Sequence, residues 1–460
     1  MRIPLPTSSN KDVANDNINA FNENMYAMQS PAGSREPFYL QSCAGLLEWA
    51  SLTIGVVRAA EQLGDSLYVA SGTKVYKVET DKTFVEWGTI PNGGLMPSAA
   101  GFDYLIFLGE GGEIFLVDSD GVEEVESDNS FPASDVAYFN GVFVFLRKDS
   151  PTAGEYFASL ITPVGDDKIS FLVTDFANAE TDADPAVAIV RLTDKLAILG
   201  TKTVEFFAYG AGVPFPPILG VFYDVGCAAR DTVVKHSGSM LWLASDGTVR
   251  ADGKTISTPS VELAISQVSS LADSYAFKFK ERGLVFVAFT FGSSSTWVYN
   301  ISSGSWDVRK SYGRDTWQPT MAVEFANTQL MGDGLSGKLL ELDLDTEDYD
   351  GSPRVCVTQT PYIHAEFNSV NIGAVQARIN GSSGTTAVLD PQIMMKYSFD
   401  GGRTWSKERT RSMGAQGHYR DAVRWDNNGN TQTDVLFWLS VSDAVDYQLI
   451  SLDGGFTVGS

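Results

Sequence analysis

Seven short apolar stretches begin near Ser66, Asp103, Asn140, Asp194, Ser239, Arg282 and Asn327, at intervals of 37, 37, 54, 45, 43 and 45 residues. The first, DSLYVASGTKVYKVE at 65–79, reads as one β-hairpin: Leu67, Tyr68 and Val69, a Ser71-Gly72 turn, then Val75, Tyr76 and Val78. The later stretches repeat its texture, as in DYLIFLG at 103–109, GVFVFLR at 141–147 and GLVFVAF at 283–289. Val, Ile, Phe, Tyr and Trp suit a pleated, half-buried surface, and Gly, Asp, Asn and Ser punctuate the runs at turn positions. Periods of roughly 40–50 residues are those of propeller blades, each a four-stranded sheet. A ring of such sheets leaves only short, protected edges. The expectation is an all-β chain with a six- or seven-bladed β-propeller over 46–350; the long interval around Phe176–Pro185 leaves the blade number open. One helix is expected, from Ser260 to Asp273, on an imperfect apolar face.

After Gly351 the texture changes. Longer strands are expected at 355–367, 370–379, 392–399, 434–441 and 447–452, with DPQ and DGG as turns, pairing as a C-terminal β-sandwich-like domain over 351–460. Charge shifts at the same place. Residues 351–460 hold 9 Lys+Arg against 10 Asp+Glu, leaving 33−9=24 against 57−10=47 for the rest. Residues 1–45 lack a period; Asn10, Asn15, Asn17, Asn19, Asn22 and Asn24 with Pro31 and Pro37 read as an extended N-terminal arm that needs another surface to lie on. Tyr26, Phe38, Tyr39 and Leu40 are its expected anchors, the first three as candidate subunit or adaptor contacts.

The net charge of −24 argues against gripping nucleic acid by its phosphates, which takes Lys and Arg. Cys43, Cys227 and Cys356 are odd in number and far apart, and are expected as free thiols. No stretch approaches the roughly 18 apolar residues of a membrane span, and the first residues lack the apolar run of a secretion signal. Folding in a cytoplasm is the expectation.

Few residues point to chemistry. SFDGGRTW at 398–405 fits the Asp-box, with Ser398, Asp400, Gly402, Thr404 and Trp405 as a structural turn: Asp400 accepts turn amides, Gly402 takes a positive φ and Trp405 covers the corner. Sialidases carry several copies in their blades; this single copy lies outside the expected propeller, which keeps a sialidase-like propeller glycosidase only as the alternative. TWVYNISSGSW at 296–306 is like one kelch blade, with Trp297, Tyr299 and Trp306 in packing roles. The acidic runs Asp118–Glu126 and Glu341–Asp350 lack the twelve-position calcium loop ending in Glu. His236, His364 and His418 have no zinc or triad spacing. No catalytic residue, metal site or cofactor is expected. One basic stretch, Arg403, Lys407, Arg409, Arg411, Arg420 and Arg424, faces an acidic neighbouring subunit, a DNA backbone or only solvent; Arg403, Arg409 and Arg411 are candidate subunit or adaptor contacts.

Several segments in order resemble the packaged-DNA stabilisation proteins of short-tailed bacteriophages, also called tail hub or nozzle proteins. They are FYLQSCAGL at 38–46, GVVRAAEQLGDSLYVASGTKVYKVE at 55–79, TVEFFAYGAGVPFPPILGVFYDVGCAA at 203–229, the Thr-Trp-Val-Tyr…Trp pattern at 296–306 and the closing segment from Ser398 to Trp425. Within the third, Glu205, Pro214, Phe215, Gly226 and Cys227 carry the likeness, and Ala44-Gly45-Leu46 stands where the family has Pro-Gly-Leu. The resemblance implies a structural virion protein of the tail, assembled in the host bacterial cytoplasm. It implies a homohexamer below the portal-adaptor ring that extends the DNA channel, helps hold the packaged genome and attaches tail fibre, spike or needle proteins. Double-stranded DNA would pass its bore without specific binding, and acidic walls suit that passage because they repel phosphates.

Overall fold

The computed structural model describes residues 1–11, 19–52, 55–126, 131–149, 154–160, 168–172, 174, 176–179, 184–210, 215–364, 368–380, 388–415, 422–432 and 434–459. Among the described residues six four-stranded antiparallel sheets stand separately, and a further four-strand unit, 275–309, leads into a larger sheet. In chain order these blades are 57–89 (blade 1), 98–124, 133–178, 186–223, 234–255, 275–309 (blade 6) and 319–343 (blade 7). The seven apolar stretches of the sequence are the second strands of the blades, such as Ser66–Ser71, Val142–Arg147 and Leu284–Phe291. These strands are covered on both faces, which is why they read as near-continuous apolar runs rather than alternating ones.

Blade 7 takes its outer strand from the other end of the chain. Gly45–Ser51 pairs with Lys338–Asp343, Asp343 lying opposite Gly45, so the ring closes through main-chain hydrogen bonds. Gly45 is required there: a Cβ on it would lie 2.3 Å from the Thr346 carbonyl oxygen. The helix is shorter than expected, Pro259–Ser266, and buries Val261 and Ile265 against blades 5 and 6. It stops at Gln267, and the remaining apolar residues Val268 and Leu271 are only half-buried beyond its end.

The C-terminal domain is a sandwich. One sheet holds Val423–Asp426, Ser369–Asn380 and Gln448–Gly459; the other holds Cys356–Gln359, Asp434–Val441, Gln392–Ser398 and Arg409–Ser412. Ile372, Met395, Trp425, Phe437 and Leu452 fill the space between them. The strand expected over 355–367 ends at Gln359 and resumes at Ile363–His364; Pro361 lacks the amide that a ladder needs. The DGG at 400–402 is a turn, whereas the DGG at 453–455 lies inside a strand.

The surface that the extended N-terminal segment was expected to need is supplied, for its described strands, by the chain itself. The strands described there are paired within the chain itself, as unpaired amides demand. Asn19–Glu23 runs parallel to the outer strand of blade 6 (Glu23 opposite Val308) and antiparallel to Cys356–Gln359. One eleven-stranded sheet therefore runs from blade 6 into the sandwich. The hairpin Met25–Gln29/Phe38–Ser42 joins the other sandwich sheet through Leu40 and Leu449.

Candidate functional site: the domain junction and the propeller axis

The N-terminal strands bring a group of buried polar residues to the seam between propeller and sandwich. Asn24 sits at φ 54°, where Asn tolerates the left-handed region better than most residues. Its amide nitrogen donates to the carbonyls of Lys310 (3.0 Å) and Val355 (2.8 Å), and its oxygen accepts the Lys310 amide (3.0 Å) and the Tyr349 hydroxyl (3.3 Å). One side chain thus ties blade 6, the segment entering the sandwich, and the end of blade 7.

Beneath it Arg309 and Glu281 form an ion pair at 2.5 Å, with side-chain exposures of 2% and 0%. The guanidinium lies 4.9 Å from the Phe279 ring centre and 4.8 Å from that of Trp317. The other Glu281 oxygen accepts the Ala44 amide at 2.8 Å, one residue before the closing strand. Asp307 faces the N-terminal segment and accepts from Asn22 Nδ2 (3.1 Å) and Ser9 Oγ (3.3 Å); burial pushes its pKa up to about 7.

The first strands of the blades surround an axial cavity of about 690 Å³. Arg230, from the segment before blade 5, crosses it. Its guanidinium donates to the Leu95 carbonyl at the start of blade 2 and the Ser134 carbonyl of blade 3, both at 3.1 Å, while paired with Asp231 at 2.8 Å. Arg58 of blade 1 donates to the carbonyls of Gly72, Pro91 and Gly94. Asp135 clamps two blades, accepting the amides of Val136 (2.9 Å) and Ile189 (2.8 Å), and burial pushes its pKa up to about 7. A cross-braced axis of this kind leaves no passage for a duplex through a single chain.

The residues picked out from sequence fall in different places. Tyr26 is 1% exposed and lies in the core shared by blades 6 and 7, and Leu40 is buried in the sandwich. Tyr26 therefore offers no surface to a partner, a correction that follows from the pairing of its strand; Phe38 and Tyr39 are half-buried. Ser398, Asp400, Gly402, Thr404 and Trp405 build the Asp-box turn. Asp400 accepts the Thr404 amide (2.8 Å) and the Ser398 hydroxyl (2.7 Å), and Ser398 Oγ accepts the Gly402 amide (2.9 Å). Hydrogen bonds from Thr404 bring the Asp400 pKa down to about 2. Gly402 has φ +86°, and Trp405 packs edge-on against Trp438. Asp400 is thus spent on its own turn.

The basic stretch is tied to nearby acceptors: Arg403 donates to the Asp400 carbonyl (3.2 Å), Arg411 to the Arg424 carbonyl (3.0 Å) and Arg409 to the Asn428 side-chain Oδ1 (2.7 Å). Arg403 and Arg411 remain exposed. Arg420, His418 and Pro214 lie outside the described residues. In the acidic runs, Asp118 accepts the Asp120 amide (2.8 Å) and pairs with Lys168 (2.6 Å), and Asp343 accepts the Thr346 hydroxyl (2.7 Å). Among the described residues no three His, Cys, Asp or Glu side chains converge as metal ligands, and no helix is long and apolar enough to cross a membrane. Cys227 accompanies Gly226 at the joint of blades 4 and 5: its amide donates to the Gly200 carbonyl (2.8 Å), and Trp242 Nε1 donates to that of Gly226 (3.1 Å).

Sequence reasoning missed the seam and the axial braces. One signal was available. Glu281 follows Phe277 and Phe279 at a spacing of two in YAFKFKE, which places it on the inward face of its strand.

Comparison with known proteins adds the family. Residues 1–347 match the family described as "Bacteriophage P22 Gp10, beta-propeller", and residues 356–453 match "Bacteriophage P22 Gp10, beta-sandwich". No curated protein sequence matches. Among solved structures, the Cps50 (Swd1) β-propeller domain of Myceliophteria thermophila is 14% identical, with 64% of this chain and 98% of that chain covered at a TM-score of 0.40. BamB from Moraxella catarrhalis is 11% identical, with coverages of 66% and 98% and a TM-score of 0.41. The extracellular domain of BT4673 from B. thetaiotaomicron is 9% identical, with coverages of 82% and 48% and a TM-score of 0.43. Likenesses that distant carry no argument, whereas the two family matches together span the propeller and the sandwich. The chain therefore belongs to the bacteriophage P22 Gp10 family and is a phage structural protein.

Proposed function

We propose that the protein is the tail hub, or nozzle, of a short-tailed phage. Identical copies form a ring, a homohexamer, below the portal-adaptor. The ring extends the DNA channel, helps retain the packaged genome and attaches fibre, spike or needle proteins at its far end. The single observation that carries this reading is the weld between the domains: one strand, Asn19–Glu23, is hydrogen-bonded to blade 6 on one side and to the sandwich on the other. A joint that holds back a packed genome must transmit load without hinging, and a continuous sheet with a buried polar seam does so. The net charge of −24 supports the same reading, because a duplex slides past an acidic wall without releasing counterions to it.

The test is electron microscopy of the purified protein mixed with phage heads that lack it. The expected result is a collar of density below the adaptor and restored genome retention. Protein that stays monomeric and leaves such heads undecorated overturns the proposal. Tight duplex binding at low salt overturns the acidic-wall argument separately.

A further inference from the structure

The charge of the propeller axis runs against that of the chain. Five cations, Arg58, Arg191, Arg230, Lys235 and Lys278, and three carboxylates, Glu61, Asp135 and Asp231, line the cavity. At one end every charged group is accounted for. Arg58 is spent on three carbonyls, Arg230 on Asp231 and two carbonyls, and Asp135 on two amides. Glu61 accepts the Ser98 hydroxyl at 3.0 Å, and burial raises its pKa, which favours the neutral acid.

The other end is different. Arg191, Lys235 and Lys278 come from the first strands of three consecutive blades, 4, 5 and 6, and open onto the same cavity with exposed side chains. Among the described residues none of the three forms an ion pair, and Lys278 Nζ makes only a long hydrogen bond, to the Lys235 carbonyl at 3.4 Å. They are close enough to feel one another: burial and then the charges of Arg191 and Lys278 lower the Lys235 pKa. By contrast Lys280, two residues along the strand from Lys278, is paired with Glu324. In a chain with 57 acidic residues and 33 basic ones, three neighbouring cations without an ion pair among the described residues repel one another, and a bound anion would relieve that.

We propose that Arg191, Lys235 and Lys278 form an anion site at this end of the propeller axis, and that it takes a phosphate-class oxyanion. Arg191 supplies the forked donor that matches two phosphate oxygens, and the lysines supply point charges. Arg230 bars the axis beyond, so the site admits a free phosphate or the end of a polyphosphate but not a duplex. This inference stands apart from the tail-hub reading, since it concerns a single chain.

The experiment is calorimetric titration of the full-length protein with inorganic phosphate and with tripolyphosphate, using sodium chloride at matched ionic strength as the control. The expected result is one site per chain, with tripolyphosphate the tighter ligand. The triple variant R191Q/K235Q/K278Q should weaken it at least tenfold, and K280Q should leave it unchanged. All three positions are exposed, and circular dichroism checks the fold; if the triple variant fails to fold, K235Q and K278Q singly carry the same test. Equal binding by wild type and variants, or an equal loss in K280Q, overturns the proposal, as does a signal reproduced by chloride. A 30-base-pair duplex provides a further arm. Duplex binding that depends on the same three residues would mean an open backbone-binding surface and would also overturn an axial site.

Discussion

Removing one half of the Glu281–Arg309 pair should cost more than removing both. With side-chain exposures of 0% and 2%, each charge depends on the other for nearly all of its compensation. Stranding a buried charge in this way costs about 3–5 kcal/mol, whereas replacing a buried pair by apolar groups of similar volume is often neutral or better. R309M keeps a long side chain between Phe279 and Trp317 but strands Glu281. E281Q strands Arg309 while leaving an oxygen for the Ala44 amide. E281A also orphans that amide, adding about 1–3 kcal/mol. The double variant E281Q/R309M should be less destabilised than either single variant, and so should fall short of the sum of its parts by more than about 3 kcal/mol. Denaturant melts of the four proteins close the cycle. Hydrogen exchange then locates the damage, which for E281A should appear first in Gly45–Ser51 and its partner Lys338–Asp343. Additivity of the single variants to within about 0.5 kcal/mol would refute the reasoning, as would R309M melting with wild type.

Asp135 makes stability depend on pH. Its pKa is raised from 3.8 to about 7, so its contribution is fully present below about pH 4 and is lost as pH rises through 7. Melting curves of wild type and D135N should therefore diverge in favour of the variant between pH 4 and 8, by at most about 4 kcal/mol; a pH-independent difference would count against a buried, protonated Asp135. N24A loses four hydrogen bonds and puts Ala at φ 54°, and should cost about 3 kcal/mol or more. N24G should recover the part due to backbone strain; if it melts with N24A, that part is nil. Deleting residues 1–44 removes the strand between blade 6 and the sandwich, so limited proteolysis should then cut at 344–355 and release two fragments. Resistance equal to wild type would show that the weld is dispensable.

The propeller was legible because the second strand of each blade is buried on both faces and recurs at intervals of 37 to 54 residues. The Asp-box turn was legible for a related reason: Ser398, Asp400, Gly402 and Thr404 satisfy one another within seven residues of sequence. The N-terminal segment was not, because its partners are remote. Phe21 pairs with Gln359 and Leu40 with Leu449, and the five-residue strands concerned are too short to show a period. Read alone, unpaired extended chain looks like an arm awaiting a partner molecule. The axial cations escaped notice because Arg191, Lys235 and Lys278 are scattered along the sequence and meet only when the ring closes.

The shared strand also sets a timetable for synthesis. Gly45–Ser51 finds its neighbour only after Lys338–Asp343 has been made, and Arg2–Ile3 waits for Leu452 and Asp453. A growing chain can stack its middle blades early, yet its N-terminal strands stay unmatched until the later strands that pair with them have been made. Interrupted products would carry bare strand margins and invite aggregation. The topology thereby favours intact chains: only one that carries both the early strands and their late partners has a sealed perimeter to offer its neighbours.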